Sequence, residues 1–278
     1  MPPSQTPGQT GDQTGDQTGD QTGDQTGEMN PAEFANIAQL EQTLWWFRGQ
    51  RKILYRFLDP IVKNKAIVKV MEGGSGTGYM SRELAARYGW TMFPVDLAWE
   101  GLSYGLKLGV QGLCQADITA LPYADRSFDG LVSFDVIVHL PLGSEHLPLA
   151  EFARVLKPGG LFMIRVPAYD MLRSRHSVFA HEKQRFTRER LIRQVTEAGF
   201  RVRRCSYANS FLLPVAFTKF RIWEPLTRQE PQSGVAAVPG WLDSLLYAPL
   251  SVEAKLIGGG VDLPAGQSIL LVAEREEV

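Results

Sequence analysis

The stretch Val70-Met71-Glu72-Gly73-Gly74-Ser75-Gly76-Thr77-Gly78 decides the fold that we predict for this chain. An apolar strand (66–71) runs into it and a helical pattern (79–88) leaves it, so the glycines form a strand-to-helix turn. Glycine has no Cβ, so Gly74, Gly76 and Gly78 let the main chain approach a ligand closely. In open α/β sheets, nucleotide-like ligands bind at such turns.

Two details of this turn select the ligand. The spacing is GxGxG, and Tyr79 stands where the dinucleotide fingerprint GxGxxG needs its third glycine. Glu72 ends the strand, and a carboxylate there would repel a pyrophosphate at the helix N-terminus. The same carboxylate suits a ligand with an ammonium group, such as the methionine part of S-adenosylmethionine. We therefore expect this cofactor rather than NAD.

Further acids follow the next two strands. Asp96 ends the second strand, 24 positions after Glu72, and an acid near that distance accepts hydrogen bonds from ribose hydroxyls. Asp117 follows a third short strand and would accept from the adenine amine, with Leu97 and Ile118 flanking the ring. Taken singly, a loop Asp is more often a helix cap or part of a turn. Three acids after successive strands, in order, favour the ligand.

A second helical run (50–58) ends before Pro60, and strand and helix patterns alternate from residue 66 to residue 207, with the fifth strand at 161–166. Helices between apolar strands indicate a parallel sheet that is covered on both faces, an α/β fold with a Rossmann-like three-layer sandwich. A long apolar excursion before a last strand (267–274) indicates an edge hairpin with an insertion in its connection.

The chain divides into a tail and one domain. Between Gly8 and Gly27 a four-residue Gly-(Asp/Gln)-Gln-Thr unit recurs without an apolar side chain, which predicts a disordered tail over residues 1–30. The domain then spans 31–278. Within it we predict an N-terminal helical lid at 31–60 and a helical insertion or cap at 208–266.

Composition excludes several classes of protein. The 278 residues include 29 Lys+Arg and 30 Asp+Glu, and a net charge of −1 argues against bulk attraction to nucleic acid or an anionic membrane, although a local patch could still provide it. Cys114 and Cys205 are too few and too far apart for a disulfide framework or a CxxC metal site. The sequence shows neither a signal peptide nor a run of about 18 apolar residues, so we expect a cytoplasmic protein.

Four segments, in order, carry a resemblance to a known family. They are the glycine turn 72–78, Val95-Asp96, Ala116-Asp117 with 121–129 (LPYADRSFD), and 154–160 (RVLKPGG). Across roughly 66–166 this set resembles the class I S-adenosylmethionine-dependent methyltransferases, in particular the branch with the quinone-biosynthesis methyltransferases. Later segments, such as 263–268 (LPAGQS), resemble one poorly characterised bacterial subgroup of that branch.

The resemblance implies a seven-stranded, mostly parallel sheet with an antiparallel last strand. The family often has Glu-His where this chain has Val138-His139, so a His–acid pair would lack its carboxylate here. Together with the acids and glycines above, the resemblance predicts these cofactor-binding residues: Glu72, Gly73, Gly74, Gly76, Gly78, Asp96, Leu97, Asp117 and Ile118.

The chemistry asks for few catalytic groups. A sulfonium is already a strong methyl donor, so alignment for in-line displacement and removal of water suffice. A base is needed only when the acceptor is protonated at working pH. His139, after the fourth strand, is the candidate base, and a capping or packing role is the equal alternative.

The segment after the fifth strand is predicted to line the acceptor pocket. Tyr169 and His181 lie there, with exposed loop residues as the alternative interpretation. The segment is basic, and a guanidinium can hold an anionic group in a bidentate manner. One of three arginines would do so: Arg173, Arg175 or Arg185.

We therefore predict methyl transfer from S-adenosylmethionine to a small-molecule or lipid-like acceptor, with no nucleic-acid partner. The apolar insertion is core on the simplest interpretation. On a second one it is a cap that shelters a lipophilic acceptor, with peripheral membrane contact. Two other functions stay open: a non-catalytic S-adenosylmethionine-binding module or sensor, and an NAD(P)-dependent oxidoreductase.

Overall fold

A seven-stranded sheet forms the centre of the molecule, in strand order β3-β2-β1-β4-β5-β7-β6. The computed structural model describes residues 29–227 and 230–277. Residues 1–28 of the predicted tail lie outside these ranges. The strands are β1 (Lys69–Gly73), β2 (Thr91–Asp96), β3 (Cys114–Gln115), β4 (Phe128–Phe134), β5 (Leu156–Pro167), β6 (Phe200–Ala208) and β7 (Ser268–Arg275).

Strand directions confirm the predicted α/β class. β1 to β5 pair in parallel, and β7 runs antiparallel to both β5 and β6. Residues 268–274 of β7 are all buried, as expected for a strand with both faces covered. The strand order reverses between β1 and β4, and ligands of such sheets bind outside the carboxyl ends of the strands at this point.

Helices pack around the sheet. They are α1 (Pro31–Leu40), α2 (Trp45–Val62), α3 (Tyr79–Tyr88), α4 (Trp99–Lys107), α5 (His146–Val155), α6 (Arg175–Phe179), α7 (Arg188–Glu197), α8 (Leu213–Thr218), α9 (Glu224–Thr227) and α10 (Gly240–Gly258). A 3-10 turn (Ile137–His139) follows β4, and a π-helical turn (Lys219–Trp223) joins α8 to α9. Within the described ranges, no helix combines the length and the apolar character needed to cross a bilayer.

Two elements extend beyond their predicted ends. The second helix was expected to end before Pro60, yet α2 continues to Val62. Pro60 lies in the last turn, where it removes a single hydrogen bond, and the fully buried Phe57 and Leu58 hold that turn by packing. β5 begins five residues before the predicted 161 because Leu156 already pairs with Phe128 of β4.

The insertion joins the core through α10, which packs along α2. A Cβ on Gly49 of α2 would lie 2.2 Å from Cδ1 of Leu250, so the two helices approach closely. The carboxylate of Asp243 accepts from the backbone N–H of Trp45 at 2.7 Å and from Nη1 of Arg48 at 2.9 Å. Asp243 therefore caps α2 from a distant part of the sequence.

Candidate cofactor and acceptor site

The glycine turn is folded back onto β2. The backbone N–H groups of Gly74 and Ser75 both donate to the carbonyl oxygen of Val95, each at 2.8 Å. Gly74 has φ of +80°, and a Cβ there would lie 2.1 Å from a methyl group of Val136. Glycine is therefore required at 74 for both conformation and space.

Gly76 faces open space instead. Its φ is +53°, and a Cβ there would have only the ring of Phe34 within 4 Å, at 3.9 Å. Its backbone N–H donates to Oδ2 of Asp96 at 2.6 Å. The turn thus leaves bare main chain open on the side of Phe34, a space that we call the cleft, as a cradle for a ligand requires.

Glu72 lies beneath this turn and is 2% exposed. Its carboxyl group accepts a hydrogen bond from the hydroxyl of Ser81 in α3. Burial raises the pKa of Glu72 to about 8, and the nearby charge of Asp96 contributes to the rise. Burial makes this carboxyl group costly to ionise, and a cationic partner beside it would stabilise the ionised form.

The two later acids take different positions. Asp96 is buried at the end of β2, where Oδ1 accepts from the N–H of Ala98 at 2.9 Å. Asp117 is exposed, and its Oδ1 accepts from the N–H of Thr119 at 2.8 Å. A carboxylate oxygen has more than one acceptor site, so these turn-forming bonds leave capacity for a ligand. Both acids lie at the carboxyl edge of the sheet, and their ligand roles stay a prediction.

The other predicted cofactor residues lie beside these acids. Ile118 is buried and Leu97 is half-buried. A Cβ on Gly73 would meet the ring of Phe152 at 3.1 Å, so this glycine serves packing against α5. Gly78 has φ of +71° and begins α3, close to the backbone of α4.

Two buried polar atoms at this edge lack a hydrogen-bond partner among the described residues: Oγ of Ser75 and Oδ1 of Asp135. Asp135 directly follows β4 with φ of +59°, and its other oxygen accepts from Arg165 at 2.6 and 2.9 Å. Buried polar groups are normally satisfied, so unpaired ones on both sides of the switch point fit a polar ligand. Together with Glu72, Asp96 and the open space at Gly76, they fit the ammonium and ribose groups of S-adenosylmethionine.

The N-terminal helices pack against this turn. The sequence predicted them as a lid but gave none of their contacts. Phe34 of α1 is buried, and its ring would lie 2.8 Å from a Cβ placed on Gly101 of α4. The hydroxyl of Thr77 donates to Oε2 of Glu41 at 2.6 Å, and burial raises the pKa of Glu41 to about 7. No sequence signal marks this pair, because its members are 36 residues apart and belong to different elements.

His139 lies at the carboxyl end of β4, as predicted. Its Nδ1 is 3.3 Å from the carbonyl oxygen of His181, and the N–H of Lys183 donates to the carbonyl of Val138 at 2.9 Å. Burial lowers the pKa of His139, which keeps the imidazole neutral at pH 7. With Nδ1–H donating to that carbonyl, Nε2 carries the free lone pair that a base needs.

The other predicted acceptor residues flank the same region. Tyr169 is half-buried with φ of +58° and stacks on Tyr207, with ring centroids 5.3 Å apart. His181 also has a positive φ and approaches His139 through its carbonyl. The structure thus brings Tyr169, His139 and His181 to the loops after β4 and β5.

The arginines of this segment already have partners. The buried Arg185 forms an ion pair with Glu182 and donates to Oγ of Ser177 at 2.9 Å. Arg173 donates to the carbonyl of Lys183 at 3.0 Å. A buried ion pair of this kind holds the loop, and an anionic acceptor would have to compete with Glu182 for Arg185.

Comparison with known proteins agrees with this geometry. A family model described as a methyltransferase domain matches residues 71–164. Malonyl-(acyl-carrier protein) O-methyltransferase 1 of Coxiella burnetii is 33% identical over 40% of this chain. Sterol methyltransferase-like 1 of Botryococcus braunii is 32% identical over 39% of it. The matches span 38% and 30% of these two relatives, less than half of either.

Solved structures share the fold over most of the chain. A methyltransferase of Thermotoga maritima covers 87% of this chain, with 16% identity and a TM-score of 0.52. Phosphoethanolamine N-methyltransferase 2 of Haemonchus contortus covers 89%, with 15% identity and a TM-score of 0.56, and this chain covers 98% and 58% of the two neighbours. The match therefore identifies residues 71–164 as a methyltransferase domain, and S-adenosylmethionine-dependent methyltransferases share the fold of the chain around it.

Proposed function

We propose that this protein transfers the methyl group of S-adenosylmethionine to a small-molecule or lipid-like acceptor. One observation carries the proposal. The bare turn at Gly76, the buried Glu72 and the unpaired atoms of Ser75 and Asp135 converge at the switch point of the sheet. A cofactor with an ammonium group and a nucleoside satisfies all of them at once.

The bound cofactor would supply an electrophilic methyl group on a sulfonium. The chain then has three tasks of its own: to bind, to exclude water and to accept a proton where the acceptor carries one. Phe34 and the Glu41–Thr77 hydrogen bond close α1 and α2 over the turn and exclude water. We infer that Nε2 of His139 accepts the proton.

The acceptor class draws on two kinds of support. The names of the relatives include a sterol methyltransferase-like protein and an enzyme for an acyl-carrier-protein thioester. In this chain the loops after β4 and β5 place Tyr169 and His181 beside His139. We propose that these residues line the acceptor pocket and that Arg185 contributes only if Glu182 releases it.

Calorimetry followed by turnover tests the proposal. Purified protein is titrated with S-adenosylmethionine, with S-adenosylhomocysteine and with NAD. Formation of S-adenosylhomocysteine is then measured with a panel of phenols, carboxylic acids, amines and lipid extracts. We expect heat with the first two ligands and turnover with at least one acceptor; failure to bind either ligand would reject the function.

Two other functions predict different results. A sensor binds both adenosyl compounds but forms no S-adenosylhomocysteine with any acceptor. An oxidoreductase binds NAD in preference to both, which the turn disfavours because Tyr79 stands where the dinucleotide fingerprint needs its third glycine.

A further inference from the structure

Helix α10 is apolar on two opposite faces. Leu250, Ala254 and Ile257 are fully buried on one face. On the other, Trp241 is 71% exposed and Leu245 is 60% exposed. A helix at the surface of a globular protein normally turns polar residues outward, so the outer face of α10 lacks the usual composition.

The exposed residues form one continuous row. The row, which we name the outer stripe, consists of Trp241, Leu245, Ala248, Val252 and Leu256. Their separations of four, three, four and four residues place them along a single side of the helix. At about 1.5 Å per residue the stripe is about 22 Å long. An apolar row of this length with a Trp at one end is typical of a surface that meets another apolar phase.

Positive side chains run beside the stripe. They form a basic ridge, which consists of Arg48, Lys52 and Arg56 at four-residue intervals on α2, and Lys255 on α10. The guanidinium of Arg48 lies 4.4 Å from the ring centroid of Tyr247, and Nζ of Lys52 donates to Ser251 at 3.2 Å. These contacts fix the ridge along one flank of the stripe, on the side where α10 meets α2.

We propose that the outer stripe and the basic ridge together dock on the surface of an anionic lipid bilayer. The stripe would enter the headgroup region with its apolar side chains, and Trp241 suits that interface. The ridge would meet lipid phosphates, with Lys52, Arg56 and Lys255 supplying positive charge beyond the Arg48–Asp243 ion pair. In an antiparallel twofold pair of this chain, by contrast, the two ridges would lie on the same side and repel.

This docking goes beyond methyl transfer and does not depend on it. Stripe and ridge consist of α2 and α10 residues outside the cleft, so vesicle binding requires neither cofactor nor acceptor. Loss of vesicle binding and loss of cofactor binding are therefore separate results.

Vesicle flotation of the full chain tests the docking. The vesicles are pure phosphatidylcholine or an equimolar mixture of phosphatidylcholine and phosphatidylglycerol. We expect the protein to float with the mixed vesicles, and high salt to weaken the binding. Trp241→Ser with Leu245→Ser should lower the partition coefficient about tenfold or more, because two apolar side chains leave the interface. Lys255→Glu should lower it at least about fivefold.

Val68→Ser is the matched control, because Val68 is 56% exposed and lies outside α2 and α10, directly before β1. It should leave flotation unchanged, and unaltered circular dichroism and S-adenosylhomocysteine affinity would show that all variants fold. Equal flotation of the stripe variant and the wild type would overturn the proposal. The proposal would also be overturned if the wild type did not float and light scattering showed a wild-type dimer but a monomeric stripe variant.

Discussion

Glu72 is almost completely buried, and its surroundings keep its carboxyl group protonated. The pKa of about 8 means that the carboxyl group is mostly neutral at pH 7 before a ligand arrives. An ammonium group beside it would favour the ionised form and lower that pKa. Binding should then release a proton, which separates a direct electrostatic role for Glu72 from a purely structural one.

Titration with S-adenosylhomocysteine at pH 7, in two buffers of different ionisation enthalpy, measures this proton. We expect the wild type to release nearly one proton per ligand bound. Glu72→Gln should release none from position 72, because glutamine does not ionise. Glu197→Gln, which changes an exposed acid at the end of α7, is the control and should behave as the wild type. Equal release from wild type and Glu72→Gln would contradict the assignment.

The same raised pKa sets the direction of a stability change with pH. Between about pH 4.5 and about 8 the folded chain holds a proton on Glu72 that the unfolded chain has lost. The free energy of unfolding should therefore fall as pH rises through this window. Glu41, with its pKa of about 7, adds to the slope. Urea unfolding at several pH values should show a smaller slope for Glu72→Gln with Glu41→Gln.

His139 provides the residue-scale test of proton transfer. Its neutral imidazole is ready at pH 7, because burial lowers its pKa. With an acceptor from the panel, His139→Gln should lower kcat about a hundredfold and leave S-adenosylhomocysteine affinity unchanged. The wild-type rate should stay on its plateau below the ordinary histidine pKa of about 6.5. An unchanged kcat in the variant would assign His139 to packing.

At the residue scale, the positions of the acids could be predicted from the sequence, whereas the contacts around them could not. The positions of Glu72, Asp96 and Asp117 at the carboxyl edge of the sheet could be predicted because each lies at or just after the end of a strand, while their ligand roles stay a prediction. The unpaired oxygen of Asp135 could not, since it depends on a positive φ and on the approach of Arg165 from β5. Long-range contacts of this kind leave no local pattern.

At the scale of elements, α1 and α2 form a closure that rests on few contacts. Thr77→Val keeps the shape of the side chain and removes the hydroxyl that donates to Glu41. A buried acceptor without its donor costs about 1–3 kcal/mol. We expect faster hydrogen exchange in α1 and dissociation of S-adenosylhomocysteine faster by at least about fivefold.

The control for this closure is Thr91→Val, at the exposed start of β2. Stopped-flow dissociation of S-adenosylhomocysteine should match the wild type in this variant. If Thr77→Val also matched it, the N-terminal helices would have no part in retaining the ligand.

Element boundaries were predictable where local chemistry sets them. α3 begins after Gly78 and ends before Gly89, two glycines with positive φ, and the predicted range matches. α2 passes through Pro60 because tertiary packing outweighs a local signal. β5 starts early for a related reason, since the partner strand extends it.

At the scale of the molecule, α2 and α10 pack closely where the side chain of Leu250 lies against Gly49. Leu250→Ala should lower the free energy of unfolding by about 2–5 kcal/mol, because Leu250 is fully buried. Gly49→Ala should destabilise the wild type, since its Cβ would clash with Leu250. In the Leu250→Ala background the same change should destabilise less, because the clash with Cδ1 and Cγ is removed while Cβ of residue 250 still lies 2.9 Å away.

Denaturant unfolding of the four proteins of this cycle measures how far the cost of Gly49→Ala falls when Leu250 is truncated. Additive effects would show that the two positions do not interact. The seven strands and the antiparallel last strand could be predicted from the family resemblance, whereas the docking of the insertion on the N-terminal helices could not. About 200 residues separate Gly49 from Leu250, and neither has a motif around it.

Helix α2 touches both ends of this arrangement. Arg51 bonds the carbonyl of Glu41 and lies over the ring of Tyr79 beside the glycine turn, while Arg48 and Lys52 line α10. Helix α2 thus contacts both the glycine turn and α10, so a displacement of α2 on a bilayer would also act on the retention of the nucleoside. Thermodynamic reciprocity then requires equal effects: the factor by which bilayer binding raises the affinity for the nucleoside is the factor by which the nucleoside raises the affinity for the bilayer.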